Sequence, residues 1–321
     1  MLAELMVIIA ILLFAIFIGT PVSFALGFTA IAATLLYMSP GQLSQLGNIA
    51  YIQGTNINQL VAPLFILMAE FLAKGNVAAD IFTVLNKYLY RIKGGLAIST
   101  TLASTVFAAL CGSSPATAAA IGRVSISQMV THGYKAEFAT GTVAAAGTLG
   151  IMIPPSITFV MYGIITENSI AKLLIAGILP GLMLSAMLCI FIMIRVRMNP
   201  GLVEEKTGAA AEAASARIDG ISVSTTLQHD LKMLIPPAVL IILVLGSLYT
   251  GLATPTESAG VGAVGALLVV LYLRRFSGRL LTEALAAAAR TSTMILFLVI
   301  CGMGLSYVVG YLGLAQGIAD A

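Results

Sequence analysis

Charge is what this chain has least of. Asp, Glu, Lys and Arg make up 9% of its 321 residues and hydrophobic residues 59%, whereas soluble domains average about 25% charged residues. From Leu5 to Ala69 there is no charged residue at all. Such a composition excludes a soluble globular protein and places the chain in a bilayer. Net charge is only +3, and the basic residues fall in loops, where Lys and Arg set membrane topology and form no nucleic-acid-binding face. The two histidines, His132 and His229, lie in charged loops, so the apolar runs lack the commonest general base. Cys111, Cys189 and Cys301 each stand alone in an apolar run, without the paired spacing of a metal or redox motif, and read as buried structural thiols. The N-terminus lacks the basic region of a signal peptide and carries Glu4 instead, so the first apolar run is retained structure.

What the chain does have is interrupted apolar runs. The central one extends from Leu96 to Val130: an apolar arm, a turn at Cys111-Gly112-Ser113-Ser114-Pro115, and a second arm opening with Ala116-Thr117-Ala118-Ala119-Ala120-Ile121-Gly122. Each arm is too short for a hydrocarbon core of roughly 30 Å, which needs about 20 apolar residues. The pattern predicts a re-entrant hairpin whose tip lies inside the membrane, where irregular backbone persists only if protein or a watery cavity satisfies it. A second interruption, Gly147-Thr148-Leu149-Gly150-Ile151-Met152-Ile153-Pro154-Pro155-Ser156, cannot continue as α-helix through its tandem prolines.

Around these breaks the chain reads as helices at about Leu5 to Ile18 and Val22 to Met38, joined at Gly19-Thr20-Pro21. A polar, uncharged loop follows from Pro40 to Leu60, then a membrane segment from Val61 to Ala73 containing Glu70. Val77 to Lys93 has the spacing of an amphipathic helix on a membrane surface. Ile170 to Ile194 is a further span, and Arg195 to Lys232 a solvated linker. From Met233 the opening pattern returns: Thr254-Pro255 precedes a helix from Ala259 to Leu273, as Thr20-Pro21 precedes the one from Val22. The next segments begin 40 and 37 residues after the respective prolines. Placing the basic helix and the loop with Arg274, Arg275, Arg279 and Arg290 on the cytoplasmic side puts the N-terminus outside and inverts the two copies, an architecture of secondary transporters. The expected organisation is therefore 1–95, scaffold helices and amphipathic arm; 96–194, hairpin and broken helix; 195–232, cytoplasmic linker; and 233–321, an incomplete second repeat. Its hairpin tip would fall near position 347, beyond Ala321.

Three motifs, Cys111-Gly112-Ser113-Ser114-Pro115-Ala116-Thr117-Ala118-Ala119, Gly150-Ile151-Met152-Ile153-Pro154-Pro155-Ser156 and Thr254-Pro255-Thr256-Glu257-Ser258-Ala259, occur in that order. Together they resemble the large membrane subunit, the DctM or M type, of tripartite ATP-independent periplasmic (TRAP) transporters. The resemblance implies an all-α polytopic integral membrane protein of the bacterial inner membrane, an elevator-type transporter and not an enzyme. It further implies sodium-coupled import of small organic acids such as C4-dicarboxylates or sugar acids, without an organic cofactor. A small four-helix membrane subunit and a periplasmic substrate-binding protein are the implied partners.

By analogy with that family, sodium is expected at Gly112, Ser113, Ser114, Pro115 and Thr117 of the hairpin tip, with Gly147, Thr148 and Gly150 of the second break. The organic anion is expected at Ser114, Ala116, Pro154, Pro155 and Ser156, where half-helix N-termini would present N–H groups and a positive dipole end. The same hydroxyls could instead only cap helices or join them. Glu70 is read either as an interior cation ligand or as the i, i+4 partner of Lys74. Glu257 is read as a helix cap, and Arg123 as snorkelling toward the cytoplasm. A serine hydrolase is disfavoured because Ser113 and Ser114 have no base in reach; a passive channel and a scaffold without a site of its own are the remaining alternatives.

Overall fold

The computed structural model describes residues 2–90, 92–203 and 227–314, and among these it is helical, without a named strand. In chain order the helices are α1 (Leu2–Phe17), α2 (Val22–Tyr37), α3 (Leu43–Thr55), α4 (Val61–Lys74), α5 (Val77–Leu89), α6 (Gly95–Cys111), α7 (Ser114–Thr131), α8 (Ala136–Gly147), α9 (Ile157–Ile165), α10 (Ile170–Met198), α11 (Leu227–Tyr249), α12 (Pro255–Tyr272) and α13 (Gly278–Tyr311). Among the described residues, five segments are long and apolar enough to cross a membrane: Ile57–Lys74, Ile170–Met198, Asp230–Tyr249, Pro255–Tyr272 and Gly278–Tyr311. The chain is thus an all-α, multi-pass membrane protein.

Contacts divide it into two compact units, one of residues 1–60 with 289–321 and the other of residues 61–288. The first unit has a core of Ile8, Ala30, Ala33, Val308 and Leu314. The Tyr307 hydroxyl is hydrogen-bonded to Gln42 Oε1 at 2.7 Å, and Phe24 packs on Phe297 with ring centroids 4.9 Å apart. An almost wholly apolar cavity of about 630 Å³ lies among Phe14, Phe24, Phe28, Phe297 and their neighbours.

In the second unit, α4 lies along α12 because small residues face large ones: a Cβ on Gly262 would stand 2.7 Å from Met68 Sδ. The core continues through Phe65, Leu72, Ile81, Phe82, Phe107, Leu110 and Ile121. α5 has the expected amphipathic pattern, but its apolar face, Val77, Ala78, Ile81, Phe82 and Val84, is buried against protein. Its charges also turn inward. Asp80, 6% exposed, receives two bonds from the Arg275 guanidinium at 2.6 and 2.9 Å, and Lys87 donates to Asp230 at 2.6 Å. The helix expected to rest on the membrane surface is therefore pinned to α11 and to the turn after α12.

Three other expectations change. The stretch from Pro40 to Leu60 is not a loop: α3 occupies most of it, flanked by 3₁₀ turns at Pro40–Gln42 and Ile57–Leu60. Leu43, Leu46 and Ala50 already carry helical spacing, hidden among Gln, Asn and Gly. The arginine-rich loop is mostly helix, since α13 starts at Gly278 and carries Arg279 and Arg290, with Arg279 paired to Glu283 at 2.8 Å. Of the linker, residues 204–226 lie outside the described part; α10 runs on to Met198, and α11 already begins at Leu227, so His229 is on a helix.

Candidate functional site

Both interruptions lie in the second unit, and they meet. α6 ends at Cys111 because Gly112 adopts the left-handed conformation, φ +64°, in which its N–H reaches the Ala108 carbonyl at 3.0 Å; glycine tolerates this φ without steric penalty. Ser113 is extended, and α7 begins at Ser114 with Pro115 in its first turn, where the missing N–H removes nothing from the helix. Ser113 and Ser114 are half-buried, Pro115 is exposed, and Thr117 is fully buried.

The second interruption folds around that turn. After α8 the chain makes a 3₁₀ turn at Thr148–Ile151, passes through the cis Pro154–Pro155 pair, and resumes helix at Ile157. The Ile157 N–H donates to the Gly112 carbonyl at 3.2 Å, and the Ser114 hydroxyl to the Thr148 carbonyl at 3.4 Å. Missing side chains set the approach. A Cβ on Gly112 would collide with the Pro155 carbonyl oxygen, one on Gly150 would stand 2.6 Å from the Ser113 oxygen, and one on Gly147 would stand 2.8 Å from Ala118 Cβ. Of the residues expected to share one site, Ser113 and Ser114 meet Gly150 backbone to backbone and the Ser114 hydroxyl reaches the Thr148 carbonyl, while Gly112 packs on Pro155 and Gly147 on Ala118.

The remaining expected residues differ among themselves. The Thr117 hydroxyl has the Cys111 thiol beside it but no partner at hydrogen-bond geometry among the described residues, and a buried hydroxyl without a partner is unusual. Ser113 does not cap α7 with its side chain, so the capping alternative fails there. It holds at Ser156: its hydroxyl accepts from the Phe159 N–H at 3.4 Å and donates to the Ile151 carbonyl at 2.6 Å. With the Ile157 N–H also taken, the N-terminus of α9 is largely satisfied. Pro154, Pro155 and Ser156 are buried and back the hairpin turn, where an open anion-binding face was expected; the glycine at 112 draws them in. Ala116 remains half-buried beside the exposed Pro115.

The charged candidates resolve as follows. Lys74 forms its short ion pair with Glu283 at 3.2 Å and also acts electrostatically on Glu70, one turn away on α4. Glu257 completes a capping box, accepting the Thr254 N–H at 2.8 Å while Thr254 Oγ1 accepts the Glu257 N–H at 3.3 Å. Arg123 is exposed. Sequence reasoning missed the buried pairs Asp80–Arg275 and Lys87–Asp230; the one available signal was an acid, Asp80, in the apolar stripe of an otherwise basic helix.

The family model described as "Tripartite ATP-independent periplasmic transporter, DctM component" matches residues 8–321. Similar proteins include the C4-dicarboxylate TRAP transporter large permease protein DctM of Pseudomonas aeruginosa, 35% identical over 293 residues, or 90% of this chain and 64% of the relative. The isethionate TRAP transporter permease protein DctMQ of Oleidesulfovibrio alaskensis is 31% identical over 288 residues, 89% and 43% of the two chains. The ectoine/5-hydroxyectoine TRAP transporter large permease protein UehC of Ruegeria pomeroyi is 30% identical over 317 residues, 95% and 70%. The chain thus spans between 43% and 70% of the length of these relatives. With a family match over almost its whole length, the chain belongs to the DctM component family of TRAP transporters, which are transport proteins and not enzymes.

Proposed function

We propose that the chain is part of the large permease subunit of a sodium-coupled importer of small organic acids, in which the two interlocked breaks hold the coupling ion. The carrying observation is the close approach of Gly150 to the Ser113–Ser114 backbone together with the Ser114 hydroxyl's bond to the Thr148 carbonyl. It gathers hydroxyls and carbonyls at one place in an apolar interior, where a hard monovalent cation finds oxygen ligands only from such groups. Ser113, Ser114 and Thr117 supply hydroxyl oxygens, and Gly147, Thr148 and Gly150 supply carbonyls. The Gly112 carbonyl already accepts from Ile157 and contributes less than the others. The organic anion sits on the accessible side of the tip, near Ser114 and Ala116, where α7 begins.

The relatives' names mention C4-dicarboxylate, isethionate, ectoine and 5-hydroxyectoine, so the substrate is proposed only as a class. The partners are a small membrane subunit and a periplasmic binding protein, the N-terminus faces the periplasm, and the hairpin moves with the broken helix as one body across the inner membrane. The test is uptake by proteoliposomes holding the large subunit, its small partner and its binding protein, with labelled organic acids and a sodium gradient of either sign. Uptake should follow the gradient and lose its sodium dependence in Ser113→Ala/Ser114→Ala. Gradient-independent uptake refutes coupling, and a double variant with the parent's sodium dependence refutes the site.

A further inference from the structure

We propose that the hairpin carries an internal water site between its arms, midway between tip and base, held by Ser104 of α6 and Ser125 of α7. Both side chains are buried, 1% and 0% exposed, and neither hydroxyl has a hydrogen-bond partner among the described residues. They belong to different helices, and the register of the hairpin sets them opposite each other.

Two contacts fix that register. Near the base, Thr100 on α6 meets Met129 on α7, hydroxyl to sulfur at 3.6 Å; at the tip, Cys111 lies beside Thr117. Ser104 follows Thr100 by four residues and Ser125 precedes Met129 by four. Residues four apart lie one above the other on a helix face. In an antiparallel pair, stepping one turn toward the tip from a known contact on both helices arrives at the next facing level. The α7 stripe Thr117, Ile121, Ser125 and Met129 is fully buried at every position, and its two ends are the residues that meet α6. One level toward the base, Met129 fills the space against Thr100, and one level toward the tip the large Ile121 side chain is fully buried. At the serine level each arm offers a single hydroxymethyl group.

Two facing hydroxyls that do not bond to each other, enclosed by apolar side chains, need a third polar species. Buried polar groups are almost always partnered by protein or by ordered water, and a buried water typically makes about three hydrogen bonds. Water between Ser104 and Ser125 satisfies both hydroxyls and finds further acceptors in the helix carbonyls one turn away. Contrast the neighbouring Thr105, which bonds directly to Ser185 of α10 at 2.6 Å: there the helices close without a mediator. The bridged serines fasten the arms in mid-hairpin, so that the tip is carried by two helices joined at their centre as well as at the turn. Ser99, also fully buried and unpartnered among the described residues, lies at the base of α6 outside this stripe.

Radiolytic hydroxyl labelling of the purified protein tests the proposal, because radicals formed from a bound water attack neighbouring side chains even where bulk solvent is excluded. Ile121 and Met129, both 0% exposed, are expected to be labelled in the parent and to lose that labelling in Ser104→Ala/Ser125→Ala, with Thr100 left in place. Absence of labelling in the parent, or labelling unchanged in the double variant, overturns the proposal. The register has its own check: in a background without the native cysteines, Ser104→Cys/Ser125→Cys should form a disulfide under mild oxidation, since facing residues on packed helices approach the Cα separation of about 4.4–6.8 Å that the bond needs. Ser104→Cys/Ile121→Cys, one level off, should form little. Preference for the second pair overturns the register and the water site with it.

Discussion

Replacing Gly150 by Ala adds one methyl group where the two breaks touch, and its consequence follows from distances. The new Cβ would lie 2.6 Å from the Ser113 carbonyl oxygen, 2.7 Å from its carbon and 2.8 Å from the Ser114 nitrogen. All three are main-chain atoms that no rotamer change can move. Ordinary contact begins near 3.4 Å, so the breaks must separate by about 0.8 Å, an over-packing cost of about 1–3 kcal/mol. A shift of that size exceeds the tolerance of about 0.5 Å within which a binding constellation must be held. Gly150→Ala should therefore fold, with lowered thermal stability in detergent, and need at least about tenfold more sodium for half-maximal uptake, since about 1.4 kcal/mol of lost ion binding is a factor of ten. Gly141→Ala is the control: it lies on α8 with nothing within 4 Å of its would-be Cβ, and the change should be neutral or stabilising by up to about 1 kcal/mol through helix propensity. Sodium dependence in Gly150→Ala matching that of Gly141→Ala would refute the claim that contact between the breaks builds the ion site.

The buried pair on α5 predicts an asymmetry. Arg275→Ala strands Asp80, whose side chain is 8% exposed, whereas Asp80→Ala leaves an arginine whose side chain is 30% exposed and can reach water. The first should cost about 3–5 kcal/mol and the second clearly less, as read from thermal unfolding of the two variants. Glu257→Ala removes the capping box of α12 and should lower stability by about 1 kcal/mol while sodium dependence stays as in the parent; a changed sodium response would give Glu257 a part in transport. Glu283 pairs with both Lys74 and Arg279, whose side chains are 40% and 88% accessible; each exposed pair should contribute under about 1 kcal/mol, so Glu283→Gln should unfold within a few degrees of the parent.

Much of the architecture was legible because it depends on composition and local sequence. A run of apolar residues without charge demands a membrane wherever it folds, Pro154-Pro155 stops a helix whatever surrounds it, and Thr254-Pro255-Thr256-Glu257 is a complete helix start in itself. The motifs at Gly112 and Gly150 marked both interruptions, and the family followed from their order. Where periodicity was masked, the reading failed: Gln, Asn and Gly concealed α3 between Pro40 and Leu60, and arginines concealed the first turns of α13. The amphipathic stripe of α5 was visible, but an apolar stripe fits lipid or protein equally well, and only its neighbours decide which covers it.

The sequence by itself determined that the backbone must break at Gly112 and again between Gly147 and Ser156, because glycine conformation and proline chemistry act over a few bonds. Tertiary structure alone decided that the two breaks face each other, that Ser156 is spent as a cap while Ser113 is not, and that Asp80 finds Arg275 from 195 positions away. Those outcomes depend on which surfaces approach within a few ångströms, and separation along the chain carries no information about that distance.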